Sequence, residues 1–122
     1  MIENKLYTRL KSVAANVYPV VAPVTYQRPC VVYNRTGTET ERNIDDDPQT
    51  CGWVTFQVDV YALTLLESKT LARTIRASLK AWVDADISAV TWVNELDMVD
   101  DTTDVSLYRT MTSYRVFVVN GI

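Results

Sequence analysis

Ile2, Leu6, Leu10, Val13 and Val17 recur at spacings of three and four, while Glu3, Lys5, Arg9 and Lys11 fall mostly elsewhere on the same wheel. This pattern predicts an amphipathic helix from Ile2 to about Val17. Pro19, Pro23 and Pro29 follow, and each biases its preceding residue away from helix, so an extended connector is expected there. The β-branched and aromatic run Cys30-Val-Val-Tyr-Asn-Arg35 then predicts a short strand. From Gly52 to Tyr61 the chain alternates, with Val54, Phe56, Val58 and Val60 on one face and Trp53, Thr55, Gln57, Asp59 and Tyr61 on the other. Such alternation marks a strand with one face on a core. Its second face is half apolar, as expected of a sheet that another subunit covers.

Leu65 to about Val83 predicts the second helix, because residues placed 100° apart sort into three stripes. Leu71, Ala72, Ile75, Leu79 and Trp82 form a core stripe. Lys69, Arg73, Arg76 and Lys80 form a basic stripe, and Thr70, Thr74, Ala77 and Ala81 a strip of small side chains. Two more strands are expected at the end. In the first, Val90, Trp92, Asn94, Leu96 and Met98 alternate with Thr91, Val93, Glu95 and Asp97. Asp100–Asp104 has turn composition, and the last strand, Val105 to Val119, is long enough to reach beyond its own sheet. The order helix, strand, strand, helix, strand, strand implies an α+β two-layer sandwich. Its sheet would be four-stranded and mainly antiparallel, with two helices on one face.

Between the first two predicted strands lies Thr36-Gly-Thr-Glu-Thr-Glu-Arg-Asn-Ile-Asp-Asp-Asp-Pro-Gln-Thr50, a polar loop by composition. It carries Glu39, Glu41, Asp45, Asp46 and Asp47 against a single basic residue, Arg42. As a calcium loop opening at Asp45 it would need glycine at the sixth position and glutamate at the twelfth, but these are Thr50 and Phe56. Metal binding is disfavoured on that spacing, which leaves a solvated loop or an arm that docks on a partner. Its length favours the arm, since loops beyond about 12 residues in small domains are often functional. The basic stripe has two readings as well: a solvated helix face, or a patch that meets an acidic partner.

Composition narrows the function classes. At 122 residues, with 48% hydrophobic and 22% charged positions, the chain has the length and make-up of one globular domain. A net charge of −3 argues against a domain-wide nucleic-acid surface. The chain holds no histidine, so Ser-His and Cys-His nucleophiles and histidine-ligated metals are excluded. Its three glycines do not have phosphate-loop spacing. Asp59, Glu95 and Asp97 have no nearby polar partner in sequence that would make an acid/base pair. Cys30 and Cys51 are expected to be free thiols in a cytosolic product. No secretory signal or membrane span is expected, because Met1–Ser12 is charged throughout and the run Val17–Val24 is short and broken by two prolines.

The residues also carry a likeness. Val17-Tyr-Pro with Ala22-Pro23, then Arg28-Pro-Cys-Val-Val-Tyr33, then Val58-Asp-Val-Tyr-Ala62, and the helix Ser68-Lys-Thr-Leu-Ala-Arg-Thr-Ile-Arg-Ala-Ser-Leu79 appear in that order. With them the chain resembles, over nearly its full length, the tail terminator proteins of tailed bacteriophages, also called tail completion or head–tail joining proteins. The resemblance implies a non-enzymatic virion protein without cofactors, assembled in the host cytoplasm and located at the head–tail junction. It implies a ring, typically of six copies, that caps the tail tube, stops its polymerisation and meets the head completion (neck) protein, with DNA passing through the lumen. The acidic loop departs from the family pattern, which has glycines around it. A ring requires head-to-tail contacts between two different patches. Glu39, Glu41, Arg42 and Asp45–Asp47 on one side, and Lys69, Arg73, Arg76 and Lys80 on the other, are the candidate interface. Two other readings stand beside this one: another phage connector or tail-tube-like protein, and a small metal-dependent enzyme built on the acidic run.

Overall fold

The computed structural model describes residues 2–20, 29–42, 48–100, 107–120 and 122. Among the described residues two helices and five strands follow one another as α1 (Ile2–Lys11), β1 (Val17–Pro19), β2 (Cys30–Arg42), β3 (Pro48–Ala62), α2 (Leu65–Lys80), β4 (Ile87–Asp100) and β5 (Leu107–Val118). The sheet is five-stranded and mixed, in the spatial order β1-β2-β3-β5-β4. This corrects the expected four-stranded sheet and its α-β-β-α-β-β order.

The added strand is β1, which pairs parallel to β2 with Val17 opposite Val31 and Pro19 opposite Tyr33. Val17 therefore ends no helix; α1 stops six residues earlier and Val17 enters a sheet. Proline is tolerated at Pro19 because an edge strand does not need every N–H for its ladder. The backbone bonds Val31 N–H to Asn16 O and Val20 N–H to Tyr33 O, both 2.8 Å, close the short parallel pair at its ends. Val20 takes a positive φ of 63°, unusual for a β-branched residue, as the chain turns off this edge.

β2, β3, β5 and β4 pair antiparallel in that order, through registers such as Tyr33 opposite Val58, Phe56 opposite Tyr114 and Trp92 opposite Tyr114. The final strand is thus an interior strand, hydrogen-bonded on both sides, and does not reach out to a neighbour. Much of the expected 36–50 loop is also strand. β2 continues to Arg42 and β3 begins at Pro48, so the two form a ribbon, and only residues 43–47 of that segment lie outside the described residues. Register shifts at Arg35/Gly37 and Thr40/Arg42 mark bulges in this ribbon. Gly52 sits beside the second bulge, where a Cβ would run into the Glu39 carbonyl oxygen and Thr40 Cα, so the close approach of two backbones demands glycine.

Both helices pack on one face of the sheet. Ile2, Leu6 and Leu10 of α1 and Ala72, Ile75 and Leu79 of α2, with Trp82 just beyond it, meet Val54, Phe56, Val58, Val60, Tyr114, Val116 and Val118 in one buried cluster. Thr64 caps α2 by accepting the Glu67 N–H at 3.2 Å, which satisfies one of the four donors a helix start leaves open. Arg9 of α1 donates to the Ser78 carbonyl at 2.7 Å and so fastens the two helices together. Arg35 ties the N-terminal helix to the chain end, reaching Glu3 at 2.6 Å and donating to the Ile122 carbonyl at 3.1 Å.

Candidate interaction surfaces

The basic stripe on α2 divides in two. Lys69 is held inside the protomer, 2.7 Å from Glu95 and 3.0 Å from Asp97 on β4. The Glu95 bond, then the Asp97 bond, holds its ammonium above the usual lysine value, so it stays charged. Arg76 lies 4.2 Å from the centre of the Trp92 ring, a cation–π contact. Arg73 and Lys80 are exposed and have no ion-pair partner among the described residues. Beneath Lys69 the network continues inward. Thr110 donates to Asp97 at 3.2 Å and shares a short hydrogen bond with buried Ser68.

These contacts exist because β4 is bulged. Its register shifts between Trp92 and Asn94, so one residue, Val93, has no opposite number on β5. Each later side chain is transferred to the other face. Trp92, Glu95, Asp97 and Val99 therefore share the helix side, and Asn94, Leu96 and Met98 the open side. Uninterrupted alternation would have put Glu95 and Asp97 opposite Trp92, out of reach of Lys69.

The acidic half of the expected interface is placed only in part. Glu39 is exposed on the helix-free face and pairs with Arg115 of β5 at 2.8 Å. Arg42 is opposite Pro48 in the ribbon, and Glu41 lies beside it on β2. Asp45, Asp46 and Asp47 lie outside the described residues. Among the described residues, Glu39 is the member of the acidic segment with a placed ion pair, and its partner is Arg115, not the α2 stripe. Among the described residues no group of three or more histidine, cysteine, aspartate or glutamate side chains could hold a metal ion. No helix among them is long and apolar enough to cross a membrane. Cys30 stands opposite Tyr61, and Cys51 lies towards the far end of the ribbon.

The helix-free face holds aromatic and arginine side chains together. Trp53 and Phe117 meet edge to face with centroids 5.1 Å apart, and Arg115 lies 4.6 Å above Trp53. Further along, Arg109 reaches Asp59 at 2.8 Å and lies 5.3 Å from the Tyr61 ring. Gln57 donates to both oxygens of Asp59. Tryptophan, tyrosine and arginine gathered in this way are the residues that anchor protein interfaces.

Sequence reasoning missed the edge of the sheet. β4 runs along it for 14 residues and exposes Trp92, Val93, Leu96, Met98 and Val99, each between 39% and 55% accessible. The available signal was the absence of lysine, arginine and proline from Ile87–Asp100, together with apolar residues at both parities. At its start, the Asp86 N–H donates to Asp84 Oδ1 at 2.7 Å. That bond, with the nearby Lys5 ammonium and the Ile87 N–H, holds the Asp84 carboxyl below its ordinary value.

No known protein family matches the chain, and no curated protein sequence does. Among solved structures, the chain is similar to one in a "Virion of native gene transfer agent (GTA) particle", with a TM-score of 0.65 and 16% identity. The similarity covers 93% of this chain and 90% of that one, so the two share a fold over nearly their whole length.

Proposed function

We propose that this chain is a structural protein of a phage or phage-like virion, and that it acts as a tail terminator. In this reading six copies form a ring on the end of the tail tube, stop its growth and present a surface to the head completion protein, leaving a lumen for DNA. It carries out no catalysis. The observation that carries the reading is the full-length fold shared with a chain of a virion particle. Two features of the surface support it. The helix-free face carries an aromatic and arginine cluster suited to a protein partner, and β4 leaves a long apolar edge open among the described residues. Arg73 and Lys80, exposed on α2, and the acidic segment Glu39–Asp47 remain the complementary patches for the joint between subunits.

The test adds the purified chain to the polymerising tail tube protein of its own virion and measures tube lengths by electron microscopy. A terminator shortens the distribution and appears as one extra ring of density at a single end. Tubes of unchanged length without an end ring would reject the capping role. A chain that itself stacks into long tubes would instead be a tube-like protein, the alternative within the same class of architecture.

A further inference from the structure

The sheet ends in two incomplete edges. β4 is hydrogen-bonded to β5 and to no other strand among the described residues. On the far side β1 covers Val31–Tyr33, and among the described residues β2 from Asn34 to Arg42 has β3 as its one strand neighbour. We infer that β4 of one copy pairs with this open half of β2 in the next, so that the sheet continues from subunit to subunit.

Strand direction supports this pairing. Between the two edges lie β2, β3, β5 and β4, an even number of strands, each antiparallel to the next. The edges therefore run in opposite directions. A second copy standing the same way up presents its β2 antiparallel to β4, the arrangement with straight hydrogen bonds. Side chains agree. Natural edges are guarded by lysine, proline or inward charges; β4 has no lysine, arginine or proline, and its two inward charges, Glu95 and Asp97, are already paired with Lys69 of the same protomer. It offers Trp92 and Val99 on the helix side and Leu96 and Met98 on the other, so an added strand is flanked by apolar surface above and below. The open stretch of β2 brings Thr36, Thr38 and Thr40, β-branched and uncharged residues that suit a strand interior.

A two-fold β4–β4 pair would satisfy one edge and leave β2 open. The head-to-tail contact satisfies both edges with one interface, and such contacts close into rings when the rotation allows. The bulge at Val93 adds local bend and twist to the joining strand, which a closed ring requires and a flat sheet does not. This assignment rests on the ring reading above and names the joint that would hold it.

The experiment measures the mass of the full-length chain by light scattering, alone and with tail tubes, for wild type, Val93→Lys, Leu96→Lys and the control Val83→Lys. Val93 and Leu96 are 51% and 55% exposed, so lysine there leaves the protomer folded, as circular dichroism and the denaturation midpoint would verify. Wild type and Val83→Lys should give the multimer, and both β4 variants the monomer, about a six-fold drop for a six-membered ring. In a Cys51→Ser background, Val93→Cys is then mixed in turn with Thr36→Cys, Thr38→Cys and Thr40→Cys and oxidised. At least one mixture should cross-link on the order of ten-fold more than either component alone, as head-to-tail contacts require. Rings that survive both lysine variants overturn the β4 joint and leave the ring reading standing. Val93→Cys cross-linking to itself as well as in any mixture replaces the joint with a two-fold pair. Wild type that stays monomeric with and without tubes overturns both.

Discussion

On the helix side of the sheet, Val54, Phe56, Val58 and Val60 are at most 1% exposed and belong to the apolar cluster formed with α1, α2 and β5. On the opposite side the intervening residues Trp53, Thr55, Gln57 and Tyr61 are half-buried, and order comes from charge and aromatic contacts: Arg115 between Glu39 and Trp53, Arg109 between Asp59 and Tyr61. The same strand thus contributes to stability through one set of side chains and displays another. Removing water from apolar surface is non-directional and strong per residue. Part-exposed ion pairs add little free energy but hold side chains in a fixed geometry. A surface built in the second way suits recognition, because its groups are ordered before a partner arrives.

The sharpest way to break this contrast is to remove a large side chain from each face of β3. Phe56→Ala should lower unfolding free energy by about 3–5 kcal/mol, since it opens a cavity that the surrounding core cannot fill. Trp53→Ala, three residues away on the open face, should cost only about 1 kcal/mol, because the ring is half exposed and packs chiefly on Phe117 and Arg115. Urea unfolding of both variants measures the difference. Equal losses would mean that the open face is as much a core as the covered one.

Asp59 is the residue where the two kinds of face meet. It is 6% exposed on the side with no helices, held by Arg109 and Gln57. Asp59→Ala should cost about 2 kcal/mol, less than breaking a fully buried pair because the Arg109 side chain is 28% exposed. Arg109→Met alone should cost less than this, and the double variant less than the sum. A double-mutant cycle read by thermal or urea unfolding isolates the coupling. A coupling near zero would show that the pair fixes geometry without stabilising the fold.

What could be read from sequence followed the strength of each periodic signal. The stripe Leu71, Ala72, Ile75, Leu79 and Trp82 was legible because it repeats along the 16-residue helix and just past its end; four of the five are buried, and Leu71 is half-buried against the same core. The inward set of β3 was legible for the same reason, as strict alternation over four valine and phenylalanine positions. β1 was not, because three residues ending in proline are too few to form a pattern, and a parallel pairing depends on contacts distant in sequence. The bulge at Val93 was hidden because an inserted residue changes parity without changing composition. That one shift decided whether Lys69 had acidic partners, so the basic stripe looked like a free surface when half of it serves the protomer. Whether the long last strand was interior or edge could not be read from its length either. Interior position depends on which strands flank it.

The smallest effect tests that half-engaged stripe. Lys69 is drawn by Glu95 and Asp97, and its side chain is 27% exposed. Lys69→Met at neutral pH should cost only about 0.5–1 kcal/mol, as for a part-exposed pair. Its pH dependence is more telling. The folded-state value lies above the lysine reference of 10.5, so the folded protein holds this proton more tightly than the unfolded chain does. By linkage the contribution is complete below the unfolded value and disappears as pH rises through the folded one. Unfolding midpoints of wild type and Lys69→Met should therefore differ at neutral pH and converge only as pH rises past the ordinary lysine value and through the higher folded-state one. Arg73→Met, which removes a stripe member with no ion-pair partner among the described residues, should leave the midpoint unchanged across the same range. If Arg73→Met instead lowers stability as much as Lys69→Met, the stripe is one uniform structural feature, and its exposed half is not held in reserve for a partner.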